Sequence, residues 1–318
     1  SDTINLGLDL KGGIHLTLGV DVDTAVENAL ARMGEDIRAD AREEDIVVLK
    51  PEVLNGNSLE LVVMHQAKGD KFQEIMADHY DGVFTPESRK NLSRDRVQFT
   101  YALTSQYRDR LEKMTIDQAL KTIRSRIDQF GVAEPDIRRQ ANNRIQVQLP
   151  GLEDPERAIQ IIGKTAHLEF KIVDDTADLE KAKKGILPPG RELSVMRTQN
   201  PDGSYTERPI VLRKQAMLTG EYITDARARP DPQTGSMYVI MNFDRRGERI
   251  FARVTGEHVK ERMAIVLDDK VYSAPVIQEK ITGGRASITG RFTDEEAHDL
   301  ALVLRAGSLP APINIEEQ

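Results

Sequence analysis

Residues 115–172 read TIDQALKTIRSRIDQF-GVAEP-DIRRQ-ANN-RIQVQLP-GLEDPERAIQIIG-KTAH-LEFKI, and their punctuation decides the fold. Thr115 and Gln118 stand at capping-box spacing. Leu120, Ile123, Ile127 and Phe130 then make one helix face that stops at Gly131. Strands are predicted over 136–141 and 144–149, with Asn142-Asn143 as the turn between them. Asp154 caps a second helix that has Pro155 in its first turn, where a missing amide hydrogen costs nothing. Ala158, Ile161 and Ile162 supply its apolar side, Gly163 stops it, and Leu168, Phe170 and Ile172 alternate as a closing strand.

Working upstream, nearly the same pattern recurs. Ile14, Leu16, Leu18 and Val20 alternate, and Ala25, Val26, Ala29, Leu30, Met33, Ile37 and Ala41 recur at three and four. Asp23 or Thr24 is the expected N-cap of that helix. Strand-like runs near 46–54 and 59–64 flank Asn55-Gly56-Asn57, a helix follows over about 71–79, and Val97, Phe99, Tyr101 and Leu103 alternate again. Both stretches therefore read as split β-α-β units of the ferredoxin-like kind, joined by a polar helix near 105–114. Downstream, Pro188-Pro189-Gly190, Asn200-Pro201-Asp202-Gly203 and Pro230-Asp231-Pro232 mark 174–236 as loop-rich. Strand signals return at 238–243, and Asp268-Asp269 reads as a hairpin turn. Gly283-Gly284 separates two short strands, and a last helix opens on the capping box Thr293–Glu296 and ends at Gly307. The expected class is α+β. A ferredoxin-like base is made of 1–20, 114–173 and 289–318, a second such module of 21–113, and an inserted α+β head of 174–288.

At 318 residues the chain is long enough for two or three compact units. With 44 Lys+Arg against 52 Asp+Glu its net charge is −8, and it has no Trp, which argues against nucleic acid as a partner. The absence of Cys excludes disulfides, thiolate nucleophiles and Cys-ligated metals. Its six His offer no chelating pair. Glu295-x-x-His298 is half of a di-iron signature without the other half. Asp21-Val22-Asp23 lacks the rest of a calcium loop, and Gly7 through Gly13 lacks the phosphate-loop spacing. No Gly-x-Ser-x-Gly or Ser-x-x-Lys occurs, so a nucleophile has no candidate. The expectation is a binding or mechanical protein, not an enzyme, with no cofactor and no metal.

Three stretches carry a resemblance. Leu6-Gly7-Leu8-Asp9-Leu10-Lys11-Gly12-Gly13 resembles the opening signature of the SecD family, membrane subunits that assist Sec-dependent protein export. Arg126-Ile127 through Gly131-Val132-Ala133-Glu134-Pro135, followed by 143–151 with Pro150 and Gly151 at its end, resembles the family's second signature. Leu168-Glu169-Phe170 follows in place, and 302–313, with Arg305, Ala306 and Gly307, resembles the segment before the family's second membrane helix. The resemblance implies the first extracytoplasmic (periplasmic) domain of such a subunit, on the outer side of the bacterial inner membrane. Its membrane helices would flank this chain, and the proton-carrying acid would lie in one of them, outside it. It also implies a head that binds unfolded preprotein leaving the SecYEG channel, and a cycle driven by proton flow with SecF as partner. Some family members lack 21–113.

Within the head, Met217, Met237, Tyr238, Met241 and Phe243, with Met196, concentrate adaptable apolar side chains and are the candidate preprotein contacts. The same residues would serve equally as the head's own core. Asp174, Asp175 and Gly290 are the candidate hinges, with Gly283-Gly284 weaker. The competing reading is a periplasmic small-ligand binding protein, which the short hairpin strands oppose.

Overall fold

Strand β1 (Gly13–Val20) buries Leu16, Leu18 and Val20 in the computed structural model, which describes residues 13–132, 134–152, 154–199 and 205–317. The chain divides into two compact units. One is built from His15–Lys121, Asp136–Gln148 and Pro310–Gln318, the other from Ser1–Ile14, Thr122–Pro135 and Leu149–Leu309.

The first unit holds two sheets. Helix α1 (Val22–Glu43) follows β1 and is capped by Asp21, whose carboxylate accepts from the Thr24 backbone N–H (3.1 Å) and hydroxyl (2.8 Å). Neither expected cap does this; Asp23 instead meets Arg108 at 2.5 Å. β2 (Glu52–Leu54), β3 (Ser58–Met64), α2 (Gly69–His79), β4 (Phe84–Leu92) and β5 (Arg96–Leu103) come next, and their sheet runs β2-β3-β5-β4, antiparallel throughout. Leu59, Leu61, Val63, Phe72, Val97, Phe99 and Tyr101 fill its core. The split β-α-β reading of 14–103 needs β1 in this sheet, and β1 is not there: it pairs with β17 (Ile313–Glu317). The sheet gains β4 instead, a strand whose Thr85-Pro86-Glu87-Ser88-Arg89-Lys90-Asn91 is polar on both faces because it lies on the edge, where charge and Pro are tolerated.

The second sheet of this unit runs β17-β1-β7-β6, with β6 (Asp136–Gln140) and β7 (Arg144–Pro150) joined through Asn142-Asn143 at φ 60° and 58°, as a tight hairpin demands. Before it, α3 (Ser105–Phe130) is one uninterrupted helix. Thr115 is therefore no cap; its hydroxyl donates back to the Leu111 carbonyl at 2.8 Å.

In the second unit, α4 (Pro155–Gly163) is capped by Asp154 as expected, and β8 (Leu168–Ile172) follows. β8 does not join β6 and β7 as the split unit requires. It lies between β14 (Met263–Leu267) and β11 (Leu218–Thr219). The sheet runs β10-β9-β15-β14-β8-β11, where β9 is Arg191–Gln199, β10 Tyr205–Arg213 and β15 Lys270–Ser273. It curls until Val173, just past β8, bridges Leu212 of β10, and the Asp174 N–H donates to the Val211 carbonyl at 2.8 Å. Val173, Ile210, Leu212, Ala264, Val266 and Val271 pack as one cluster within this small barrel. Asp268-Asp269 is the hairpin turn expected, at φ 48° and 64°.

The stretch 174–236, read from its turns as loop-rich, thus holds β9, β10 and also β12 (Ile223–Pro230), besides the short α5 (Leu179–Lys183). β12 joins β13 (Met237–Phe243) and β16 (Arg285–Phe292) in a three-stranded sheet. α6 (Arg245–Glu257) and α7 (Asp294–Ala306) complete the unit, and the Thr293–Glu296 capping box is present. Phe170, Phe243, Phe251, Val239, Ile288, Leu300 and Val303 share its main core. The Asn200–Gly203 turn lies outside the described residues.

Candidate functional site

Arg126 is fully buried on α3, because a helix face otherwise made of Ile123 and Ile127 turns it inward. Its guanidinium donates to four carbonyls of the same unit: Ile161 (2.9 Å), Ile162 (3.0 Å), Lys164, and Gly307 (2.9 Å). Those are the last carbonyls of α4 and the C-cap of α7, where the helix dipoles concentrate negative charge. Burial lowers the Arg126 pKa to about 10, so the cation is held at a real desolvation cost. Arg305 adds a second tie, donating to the Gln129 side chain (2.7 Å) and to the Ala226 carbonyl (3.1 Å).

The seam of the barrel is clamped by two adjacent acids. Asp174 accepts from Arg191 at 2.5 Å and from the Thr176 hydroxyl at 2.6 Å; these two bonds, the threonine's first, pull its pKa down to about 2. Asp175 takes Arg262 in a two-oxygen grip that lowers its pKa also. Nearby, Lys171 is buried on β8 between Glu169 and Glu192, both at 2.9 Å. Burial pulls Lys171 down and Glu169 up, yet hydrogen bonds win, from Lys171 to Glu169 and Glu192 and from His167 and Lys171 to Glu169, so both stay charged more firmly than usual.

Several large apolar side chains are exposed beside the barrel. Leu193 (37% exposed) and Val195 (42%) sit two apart on β9, opposite Val211 and Pro209 of β10. Leu179 (41%) on α5 and Ile186 (63%) lie in the same stretch of chain, so 179–195 gathers four exposed large apolar side chains. Among the described residues no group of three or more His, Asp or Glu could hold a metal ion, and no helix is long and apolar enough to cross a membrane.

Comparison with known proteins gives these features a context. Residues 194–311 match the family described as "SecDF, P1 head subdomain", 116–175 match "Protein translocase subunit SecDF, P1 domain, N-terminal", and 3–24 match "SecD/SecF GG Motif". A solved structure described as "Structure and function of a membrane component SecDF that enhances protein export" is 35% identical. The match covers 64% of this chain and 92% of that one, with a TM-score of 0.51. The chain belongs to the SecD/SecDF family. The protein translocase subunit SecD of Syntrophobacter fumaroxidans is 44% identical over all of this chain, and that of Desulfurispirillum indicum 40%. The chain spans 60% and 61% of those two relatives' lengths. A second solved SecDF, in a "Super-membrane-facing form", is 37% identical, with 64% of this chain and 27% of that one covered and a TM-score of 0.51.

The SecD signatures named from sequence land on backbone punctuation. Gly131 ends α3 at φ 88°, Pro150 ends β7, Gly151 turns at φ 64°, and Gly307 caps α7 at φ 94°. Pro135 leads into β6, and Arg305 and Ala306 close α7. Gly13 opens β1, while Gly7, Leu8, Asp9, Leu10 and Gly12 lie outside the described residues. Arg126 and Gly307 join the second signature to the third.

The candidate preprotein contacts fare differently. Met241 and Phe243 are buried (0% and 7% exposed) on the inward-facing alternate positions of β13, so they cannot touch a substrate in this conformation. Met217 and Met237 are half-buried against the same core, Met196 against the barrel cluster, and Tyr238 is half-buried on β13. The sequence reading missed Leu193 and Val195, although their spacing of two was available as a strand signal. Asp174 and Asp175 lie at the barrel seam, and Gly290 lies in a β-bulge where Thr289 faces Tyr238 but Phe292 faces Met237.

Proposed function

We propose that this chain is the extracytoplasmic part of a SecD-like translocase subunit, set on the outer side of the inner membrane by flanking helices outside this sequence. It holds unfolded preprotein emerging from the SecYEG channel and cycles conformationally, with SecF, to favour forward movement. Proton flow through the membrane parts drives the cycle, and the chain itself has no catalytic role. The base is proposed as 1–20, 114–173 and 289–318, the added module as 21–113 and the head as 174–288. The strand order β17-β1-β7-β6 supports a ferredoxin-like split unit for the base.

The observation that supports the reading most is the pair of exposed apolar side chains Leu193 and Val195 on the β9–β10 hairpin, with Leu179 and Ile186 also exposed just before it in the chain. A partner that accepts many unrelated extended chains needs such adaptable surface more than a shaped pocket. The half-buried Met217, Met237 and Tyr238 would join it only after a rearrangement, for which Asp174, Asp175 and Gly290 remain the proposed pivots. The test is anisotropy of a labelled, unfolded secretory polypeptide titrated with the chain and with Leu193→Glu/Val195→Glu. We expect saturable binding that the double variant weakens about tenfold, at unchanged circular dichroism. Equal binding by the two would remove this surface, and no binding by the wild type would remove the holding role. The small-ligand alternative predicts thermal stabilisation by a metabolite instead.

A further inference from the structure

Helix α6 buries Phe251, Val254 and Thr255 and leaves its other side open. On that side Arg249, Ala252, Arg253 and Gly256 fall at i, i+3, i+4 and i+7, so they share one face. With Glu257 and Lys280 they line an open groove of about 520 Å³. Ala252 and Gly256 make its floor. A Cβ on Gly256 would stand 3.3 Å from Cδ and 3.4 Å from Cγ of Lys280, so the bare glycine is what lets the lysine stem lie against the helix. Three cations and one carboxylate therefore surround a small, concave floor on a chain whose net charge is −8.

The cations are also uncommitted. Several other arginines of this unit are paired, although among the described residues Arg229, Arg245 and Arg285 are not: Arg246 lies over the Tyr222 ring, Arg213 meets Glu261, Arg262 meets Asp175 and Arg157 meets Asp299. Among the described residues Arg249, Arg253 and Lys280 have none. Unpaired guanidinium groups over a recessed floor suit carboxylates presented on a flexible chain. A bilayer is a plane and would bridge the recess without filling it.

We infer that this groove receives the carboxylate side chains of an acidic stretch of extended polypeptide. The inference rests on the reading that the chain holds preprotein, and gives that holding a charge preference distinct from the apolar hairpin face. The test uses three labelled unstructured peptides of equal length whose central segments are rich in Glu, Gln or Lys. They are titrated by anisotropy with the wild type, Arg249→Glu/Arg253→Glu and Glu257→Gln.

The Glu peptide should bind about tenfold more tightly than the Gln peptide at low salt, and the difference should collapse at about 0.5 M salt. Arg249→Glu/Arg253→Glu should erase the difference while leaving Gln-peptide binding as it was, and Glu257→Gln should enlarge it. Equal binding of Glu and Gln peptides to the wild type overturns the inference, and so does a preference that survives the double charge reversal. Binding to phosphatidylglycerol vesicles, lost in that variant, with no preference among peptides would also overturn it and assign the groove to a membrane surface. Failure of the Gln peptide to bind while the Glu peptide does would count against the apolar hairpin face alone.

Discussion

Replacing Arg126 by Met keeps the stem's bulk and removes a group that answers four carbonyls at once. Hydrogen bonds from a charged donor contribute about 1.5 kcal/mol each at the low end, so the four sum to about 6 kcal/mol. Against this stands the cost of burying the cation: a pKa lowered from arginine's ordinary value to about 10 corresponds to roughly 3 kcal/mol. The difference predicts a loss of about 3 kcal/mol for Arg126→Met, in the range measured when one partner of a buried ionic contact is removed. Urea unfolding followed by circular dichroism would report it as a lower midpoint at unchanged slope. Hydrogen exchange should accelerate in peptides covering 155–165 and 300–309, where the orphaned carbonyls end α4 and α7. Arg126→Lys, with one donor centre in place of a fork, should lose part of the same stability. A loss below about 1 kcal/mol for Met, or a Lys variant equal to wild type, would refute the idea that the fork closes both helices.

Other consequences follow from the same packing. The bond to Glu169, outweighing burial, raises the His167 pKa above 6.5. Its contribution to stability is therefore complete below 6.5 and fades as pH rises through the raised folded value, and His167→Gln should flatten that decline in a melting-temperature series. Glu169 has the opposite sign. Its pKa is lowered from 4.5 by His167 and Lys171 against burial, so its contribution is present above 4.5 and is lost as pH falls through the lowered folded value. Gly34→Ala would put a Cβ 2.8 Å from that of Pro51, and should lower the first unit's stability by about 1–3 kcal/mol in urea unfolding. Thr293→Ala removes the hydroxyl that accepts from the Glu296 N–H at 3.1 Å, and a calorimetric melt should show a loss of about 1 kcal/mol.

What could be read from sequence was what local chemistry writes. Asn142-Asn143, Asp268-Asp269, the Asp154 cap and the Thr293–Glu296 box were legible because each is set by residues within three or four positions. β9 and β12 were not: in Ile223–Pro230 Asp225, Arg227 and Arg229 take every second place, and Arg191–Gln199 opens on Arg191-Glu192 beside Pro188-Pro189-Gly190, where turn punctuation outweighed a weak alternation. Strand partnership was invisible for a deeper reason. β1 and β8 were placed correctly along the chain, but the alternation of Leu16 and Leu18, or of Leu168 and Phe170, specifies a buried face without naming the neighbouring strand. Arg126 stands within a family signature, yet nothing local marks an arginine at a helix's apolar face as a cap for two other helices.

The features that made the family recognisable turn out to be architectural. Gly131, Gly151 and Gly307 each hold a positive φ that a side chain would strain, and Arg126 needs the Gly307 carbonyl turned toward it. These are demands on the backbone, and they involve residues about 180 positions apart in sequence. The surfaces proposed to meet a substrate make no such demand. Leu193 and Val195 need only be apolar, and Arg249 and Arg253 only cationic, so many sequences would serve and no fixed motif is required. A protein with the proposed role should therefore write its frame plainly in its sequence and its contacts faintly, and the two must be sought by different means: punctuation for the first, exposure and unpaired charge for the second.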